Sequence, residues 1–156
     1  MVAFSLAFAA DPKAPDTGFF TCQQHFPENF WNPEFQRHAN GVTGVAGVVL
    51  VADNPADHHV FLKNFSGVTD LKSTSSGITI ETPRGEIQVM DPAAFRQHFG
   101  AEPPGVARGM RLAAIRFAGD MAAARAALGQ QAVERMGKLV IGPQAAHGAT
   151  LVFEPT

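Results

Sequence analysis

Short apolar segments separated by proline, glycine and asparagine run along the whole of this chain. Two segments rich in apolar and aromatic residues, Phe4 to Ala9 and Phe19 to Gln24, lie close to the N-terminus. Residues 11–18 between them contain two prolines and a glycine, which prevent regular structure. This pattern predicts a strand, a loop and a second strand.

A continuous apolar run of strand length, Val45 to Ala52, begins the next predicted unit. The residues that follow it, Asp53-Asn54-Pro55, are typical of a helix start, so we expect a helix from Pro55 to about Phe65. Alternating apolar and polar residues at Ile78 to Thr82 and Glu86 to Met90 predict a hairpin. A short helix should follow at Asp91-Pro92.

The same order of elements recurs after an irregular segment at residues 100–109. Arg111 to Phe117 is predicted to be a strand and Met121 to begin a helix, and 66 residues separate Asn54 from Asp120 at the two helix starts. Three further strands are expected at Ala132 to Met136, Lys138 to Ile141 and Thr150 to Glu154. The chain therefore divides into residues 1–44 with a hairpin and an aromatic loop, and two repeated units at 45–100 and 110–156.

Tandem βαβββ units are the plan of the vicinal-oxygen-chelate superfamily, which this chain resembles and which includes glyoxalase I, extradiol dioxygenases, methylmalonyl-CoA epimerase and bleomycin-resistance proteins. More narrowly, the segments Phe19 to His25, Pro27 to Trp31, Gln36 to His38 and Asn40-Gly41 look like uncharacterised glyoxalase-like proteins. The resemblance implies an α+β fold in which paired βαβββ modules form a curved mixed sheet cup, with an extra N-terminal β-hairpin. That hairpin is either the end of a truncated preceding module or an ordinary N-terminal extension.

The resemblance also implies a divalent metal in the cup, bound by ligands from the first and last strands of the units. The first-strand positions fall on Ala46 or Gly47 and on Ala113, whose side chains do not bind metals. The last-strand positions fall on Gln88, a weak oxygen ligand, and on Val152, with Glu154 two residues further on and on the same face. A divalent metal therefore remains one alternative, with the cofactor and the metal ligands unknown.

The irregular segment from Gln24 to His38 is the predicted site, because it combines titratable groups with large aromatic side chains. His25 and Glu28 are the predicted catalytic residues, since an imidazole and a carboxylate three residues apart can converge on one ion or proton. Gln24, Trp31 and His38 are the predicted substrate-binding residues. The alternatives are a solvated loop for His25 and Glu28, and packing between units for Trp31.

Other residues with reactive side chains are predicted to be structural. His58 and His59 are neighbours in the first predicted helix and must point in different directions, so we expect both to be solvated, and His98 likewise. Cys22 is the single cysteine, which excludes an internal disulfide, and we expect it to be a small buried apolar residue.

The composition of the chain excludes some classes of binding partner. The 156 residues are 46% hydrophobic, and 12 basic against 14 acidic residues give a net charge of −2, without the basic excess typical of proteins that bind nucleic acid or anionic membranes. The first ten residues lack the Lys or Arg of a secretion signal, so we expect a cytoplasmic protein. Its predicted partners are a small-molecule ligand and a second copy, because the two N-terminal strands leave an unpaired apolar edge.

The sequence is compatible with three functions. The first is a metal-assisted lyase, isomerase or dioxygenase acting on a small oxygenated molecule. The second is a metal-free small-ligand binding protein, as the bleomycin-resistance branch suggests. The third is the non-catalytic half of a larger tandem protein. Metal content separates the first from the other two.

Overall fold

Ten strands and three α-helices form the chain in a computed structural model that describes residues 1–156. The strands are β1 (Phe4–Ala9), β2 (Phe19–Gln24), β3 (Val42–Val51), β4 (Lys72–Thr74), β5 (Gly77–Thr82), β6 (Gly85–Met90), β7 (Arg111–Gly119), β8 (Val133–Arg135), β9 (Lys138–Ile141) and β10 (Thr150–Pro155). The helices are α1 (His59–Ser66), α2 (Pro92–Phe99) and α3 (Met121–Leu128). None of these helices has the length and apolar character needed to cross a membrane.

Eight of the strands form one mixed sheet in the order β4-β5-β6-β3-β7-β10-β9-β8. In each half the first strand pairs in parallel with the last, β3 with β6 and β7 with β10, and the two halves meet where β3 pairs antiparallel with β7. The order of strands read outward from this centre is the same in both halves. The predicted α+β fold of paired βαβββ modules is therefore confirmed, as is the separate N-terminal hairpin of β1 and β2.

Local sequence explains where the helices begin. The Asp120 carboxylate accepts hydrogen bonds from the amides of Ala122 and Ala123 and caps α3. Asn54 makes no such bond, and residues 55–58 form a turn of 3-10 helix before α1 begins. The three polar residues of β4 lack the apolar alternation that predicts a strand, and β4 forms by pairing with β5.

The eight-stranded sheet has two faces with different coverings. Helices α1 and α3 pack on one face, the helix face, where Leu62 and Ala124 are buried against the sheet. Helix α2 packs on the other, the cup face, through Phe95 and Phe99. The cup face carries Gly47, Val49, Gln88, Arg116, Val140 and Val152.

The structure corrects two expectations about single residues. His58 is buried rather than solvated, and its Nδ1 lies 2.8 Å from Oδ2 of the buried Asp11, because the loop between β1 and β2 covers the start of α1. Only its neighbour His59 is exposed. Cys22 is exposed rather than buried, because nothing in the chain covers the side of β2 from which it projects.

Candidate functional site

Four charged side chains from four strands meet on the cup face. Arg116 lies on β7, Glu86 on β6, Lys138 on β9 and Glu154 on β10. The strand register explains the meeting, since Gly47 of β3 is paired with both Glu86 and Arg116. Arg116 in turn pairs with Val152 across the parallel strands, two residues before Glu154 and therefore on the same face.

Arg116 is the centre of this network. Its Nη1 donates to Oε2 of Glu86 at 2.5 Å, while Nη2 and Nε donate to the two carboxylate oxygens of Glu154 at 2.5 and 3.1 Å. Lys138 Nζ also donates to Glu154. Arg116 is 8% and Glu154 9% exposed, so this is a buried pair with the fork geometry in which arginine binds carboxylate most strongly.

Burial and pairing act in opposite directions on the pKa values of these groups. Burial alone would raise the pKa of Glu154, but hydrogen bonds from Arg116 and Lys138 and their positive charges outweigh it and lower the pKa below its ordinary 4.5. Burial would likewise lower the pKa of Arg116, and its bonds to Glu154 and Glu86 raise it. Glu154 is therefore ionised at neutral pH and is a poor candidate for a general acid.

The cup residues do not fit the divalent metal that the resemblance implies. The carboxylates of Glu86 and Glu154 are already bound by a guanidinium, and no group of three His, Cys, Asp or Glu residues is placed to hold a metal ion. On β3, a Cβ at Gly47 would lie 2.5 Å from the carbonyl oxygen of Glu86, so no side chain fits there. Arg116, together with Lys138, supplies the positive charge that balances the carboxylates of the two last strands.

A cavity of about 300 Å³ adjoins the network on the cup face, and Lys138 belongs to both. Its apolar wall is formed by Met90, Phe99 and Met136, and its polar side chains are Gln88, His98 and Lys138. Neither the Gln88 amide nor the His98 ring has a side-chain hydrogen bond within the chain. An apolar wall with a few unpaired polar groups is the usual make-up of a small-molecule site.

A larger cavity, about 450 Å³, lies between residues 99–102 and 142–145, where Phe99 and Val140 of the cup face also line it. Its charged groups are engaged in the protein: Arg135 donates twice to the carbonyl of Gln97, and Glu102 accepts from Arg96. We take the smaller cup cavity as the better candidate site, because Lys138 joins it directly to the charged network around Arg116.

The five residues predicted from the sequence lie outside the cup cavity. Trp31 Nε1 donates to Oε1 of Gln24 at 2.5 Å, so these two are brought together. His25 Nε2 lies 2.7 Å from Ser5 Oγ, and the exposed Glu28 accepts only a 3.5 Å bond, from Asn29. No hydrogen bond joins His25 to Glu28, and Trp31 is 53% exposed rather than packed between units.

His38 lies apart from the other four. It lines a cavity of about 230 Å³ with Val42, Phe117 and Phe153, on the helix face of the sheet. Catalytic and binding roles for this loop stay predictions. The residues that the structure adds are Arg116, Glu86, Lys138 and His98. The one signal for them in the sequence is an arginine in the interior of strand β7, where its neighbours on both sides are apolar.

Neither a protein-family model nor a curated protein matches the sequence. Among solved structures, methylmalonyl-CoA epimerase from Mycobacterium tuberculosis is similar over 80% of this chain and 96% of its own, with a TM-score of 0.54 and 17% identity. A hypothetical protein from Staphylococcus aureus is similar over 99% of this chain, with a TM-score of 0.59 and 10% identity, and this chain spans about half of it, 51%. At these identities the likeness shows the fold alone, which is the glyoxalase-like fold of the vicinal-oxygen-chelate proteins.

Proposed function

We propose that this protein binds a small apolar molecule bearing a carboxylate or carbonyl group in the cup, without a divalent metal. The observation that carries the proposal is the position of Arg116, whose guanidinium donates hydrogen bonds to the carboxylates of both last strands. A metal bound there would have to displace a buried, doubly paired arginine, which is strongly unfavourable because it breaks a buried ion pair.

The cavity beside the network suits such a ligand. Met90, Phe99 and Met136 offer apolar contact, and methionines adapt readily to ligand shape. Lys138 uses one of its three N–H donors on Glu154, which leaves two for an oxygen of the ligand. The Gln88 amide can donate to the same oxygen.

The charge of the site favours a ligand with at most one negative charge. Two positive groups, Arg116 and Lys138, balance the two negative groups Glu86 and Glu154. A single carboxylate is then bound through hydrogen bonds from Lys138 and Gln88 rather than by a net positive field. Binding alone is proposed, because 17% identity to an epimerase shows only a shared fold.

The five methionines supply a direct test by NMR of ¹³C-labelled methyl groups. Titration with 4-fluorophenylacetate, or with its neutral amide, at millimolar concentration in the presence of EDTA should shift the signals of Met90 and Met136, which line the cavity. Met110 and Met121 contact the helix face and should not move.

A matched pair of variants tests the polar contact. Gln88→Leu should weaken binding of the probe by about two- to tenfold, the value of one hydrogen bond. Gln144→Leu removes the same group from the larger cavity and should change nothing. If neither probe moves Met90 and Met136, or if Gln144→Leu weakens binding instead, the proposed site is wrong.

A further inference from the structure

One side of the N-terminal hairpin is apolar and uncovered. Side chains alternate along a strand, so the residues paired as Phe4 with Gln24, Leu6 with Cys22 and Phe8 with Phe20 all project from the same side, the outer face of the hairpin. Phe4 is 45%, Leu6 51%, Phe8 75% and Phe20 51% exposed. Large apolar residues gathered on one exposed side mark an interaction surface.

Neighbouring residues enlarge this face. The ring of Phe30 lies 5.7 Å from that of Phe4 and 5.5 Å from that of Trp31. At the other end, Phe20 shares a groove of about 210 Å³ with Leu112, which is 50% exposed. Taken together, the exposed parts of these side chains amount to roughly 700 Å² if each aromatic presents about 200 Å² in full.

The base of the hairpin is fixed to the body of the protein. Phe19 projects from the opposite side of β2 and is buried against Phe61 and Phe65 of α1. The loop before β2 is anchored by the buried contact of Asp11 with His58, and by a hydrogen bond from Thr17 Oγ1 to the carbonyl of Met110. The outer face is therefore presented in a fixed orientation, which reduces the entropy lost on binding.

We propose that a second copy of this chain covers the outer face, so that two hairpins pack against each other across a two-fold axis. A standard interface buries about 800 Å² on each partner, close to the area available here. The face carries no charged residue, so two identical faces meet without repulsion. A two-stranded hairpin is marginally stable by itself, and a partner would give it the second layer that it lacks within one chain.

This surface lies on the hairpin, whereas the proposed ligand site lies in the cup and shares no residue with it. Association through the hairpin is thus independent of ligand binding.

The test is the mass of the full chain by light scattering and sedimentation velocity at hundred-micromolar concentration. The wild-type protein should have about twice the chain mass of 16.6 kDa. The double variant Leu6→Glu/Phe20→Glu places charges on the outer face and should have the mass of a single chain. Its matched control, Thr21→Glu/Gln23→Glu, places the same charges on the opposite side of β2 and should remain a dimer.

Far-UV circular dichroism checks that each variant is folded. If the double variant does not fold, the milder Phe8→Ser should still raise the dissociation constant of the dimer by about tenfold or more, because it removes an aromatic anchor of the interface. A wild-type monomer at this concentration, or a folded double variant that stays dimeric, would overturn the proposal. A wild-type monomer that cosediments with phosphatidylcholine vesicles would assign the face to a lipid surface instead, and would equally overturn it.

Discussion

Replacing Arg116 by methionine should destabilise the protein by about 2 to 4 kcal/mol. Removing one partner of a buried ion pair usually costs about 3 to 5 kcal/mol, because the other charge stays buried without compensation. The cost here is lower because Lys138 still neutralises part of the charge on Glu154, and because the side chain of Glu86 is 32% exposed. Methionine keeps most of the volume, so little of the loss comes from a cavity.

The assay is urea unfolding followed by far-UV circular dichroism. At an m value of about 2 kcal/mol/M, the predicted loss moves the midpoint down by about 1 to 2 M. Arg108→Met is the matched control, because Arg108 pairs with Asp16 with the same fork geometry at the surface, with 72% of its side chain exposed. Its loss should cost less than about 1 kcal/mol.

The pH dependence adds a second check on Arg116. The folded pKa of Glu154 lies below its ordinary 4.5, so the stability from its pairing is fully present above that value and is lost as pH falls through the lowered pKa. The difference between wild type and Arg116→Met should therefore shrink below pH 4.5. A midpoint of Arg116→Met that falls no further than that of Arg108→Met, or a difference that grows in acid, would contradict this role of Arg116.

Two further predictions compare equivalent or neighbouring positions. Asp120→Ala should lower the free energy of unfolding, measured by thermal unfolding, by about 1 kcal/mol, because two hydrogen bonds from backbone amides to the cap are lost. Asn54→Ala, at the equivalent helix start, should lower it by less than about 0.5 kcal/mol, because Asn54 makes no cap bond. Equal losses would contradict the assignment of the cap. Gly47→Ala should cost about 2 kcal/mol, because its Cβ would lie 2.5 Å from a backbone oxygen, while Gly44→Ala, which has open space, should be tolerated. A stable Gly47→Ala protein would show that β3 and β6 can separate at this point.

Most of the fold could be predicted because its signals are local. The apolar run before Asn54 and the strand before Asp120 are each followed directly by residues typical of a helix start. The hairpin of β5 and β6 is indicated by alternating apolar and polar residues and by the turn between them. Repetition of these local signals indicates two units. Within each unit the first strand, β3 or β7, lies at the edge, and pairing the two strands with each other covers both edges.

The cup network could not be predicted in the same way. Arg116 meets Glu86 and Glu154, which are 30 and 38 residues away in the chain, and only the strand register brings them together. The buried pair of His58 with Asp11, 47 residues apart, has the same origin. The prediction that Cys22 is buried was wrong for a different reason. The alternation of β2 indicates that the side carrying Cys22 is covered, but no element of a single chain covers it.

Divalent metal binding by the wild-type protein is the measurement that decides whether the cup is metal-free. Calorimetric titration with Mn²⁺ and Zn²⁺, together with the broadening of the Met90 and Met136 methyl signals by Mn²⁺, reports on the cup itself. We expect no one-to-one binding at micromolar metal and no selective broadening, because Arg116 is hydrogen-bonded to both carboxylates. Uptake of one equivalent that is lost in Glu154→Gln, but kept in the exposed control Glu34→Gln, would contradict it.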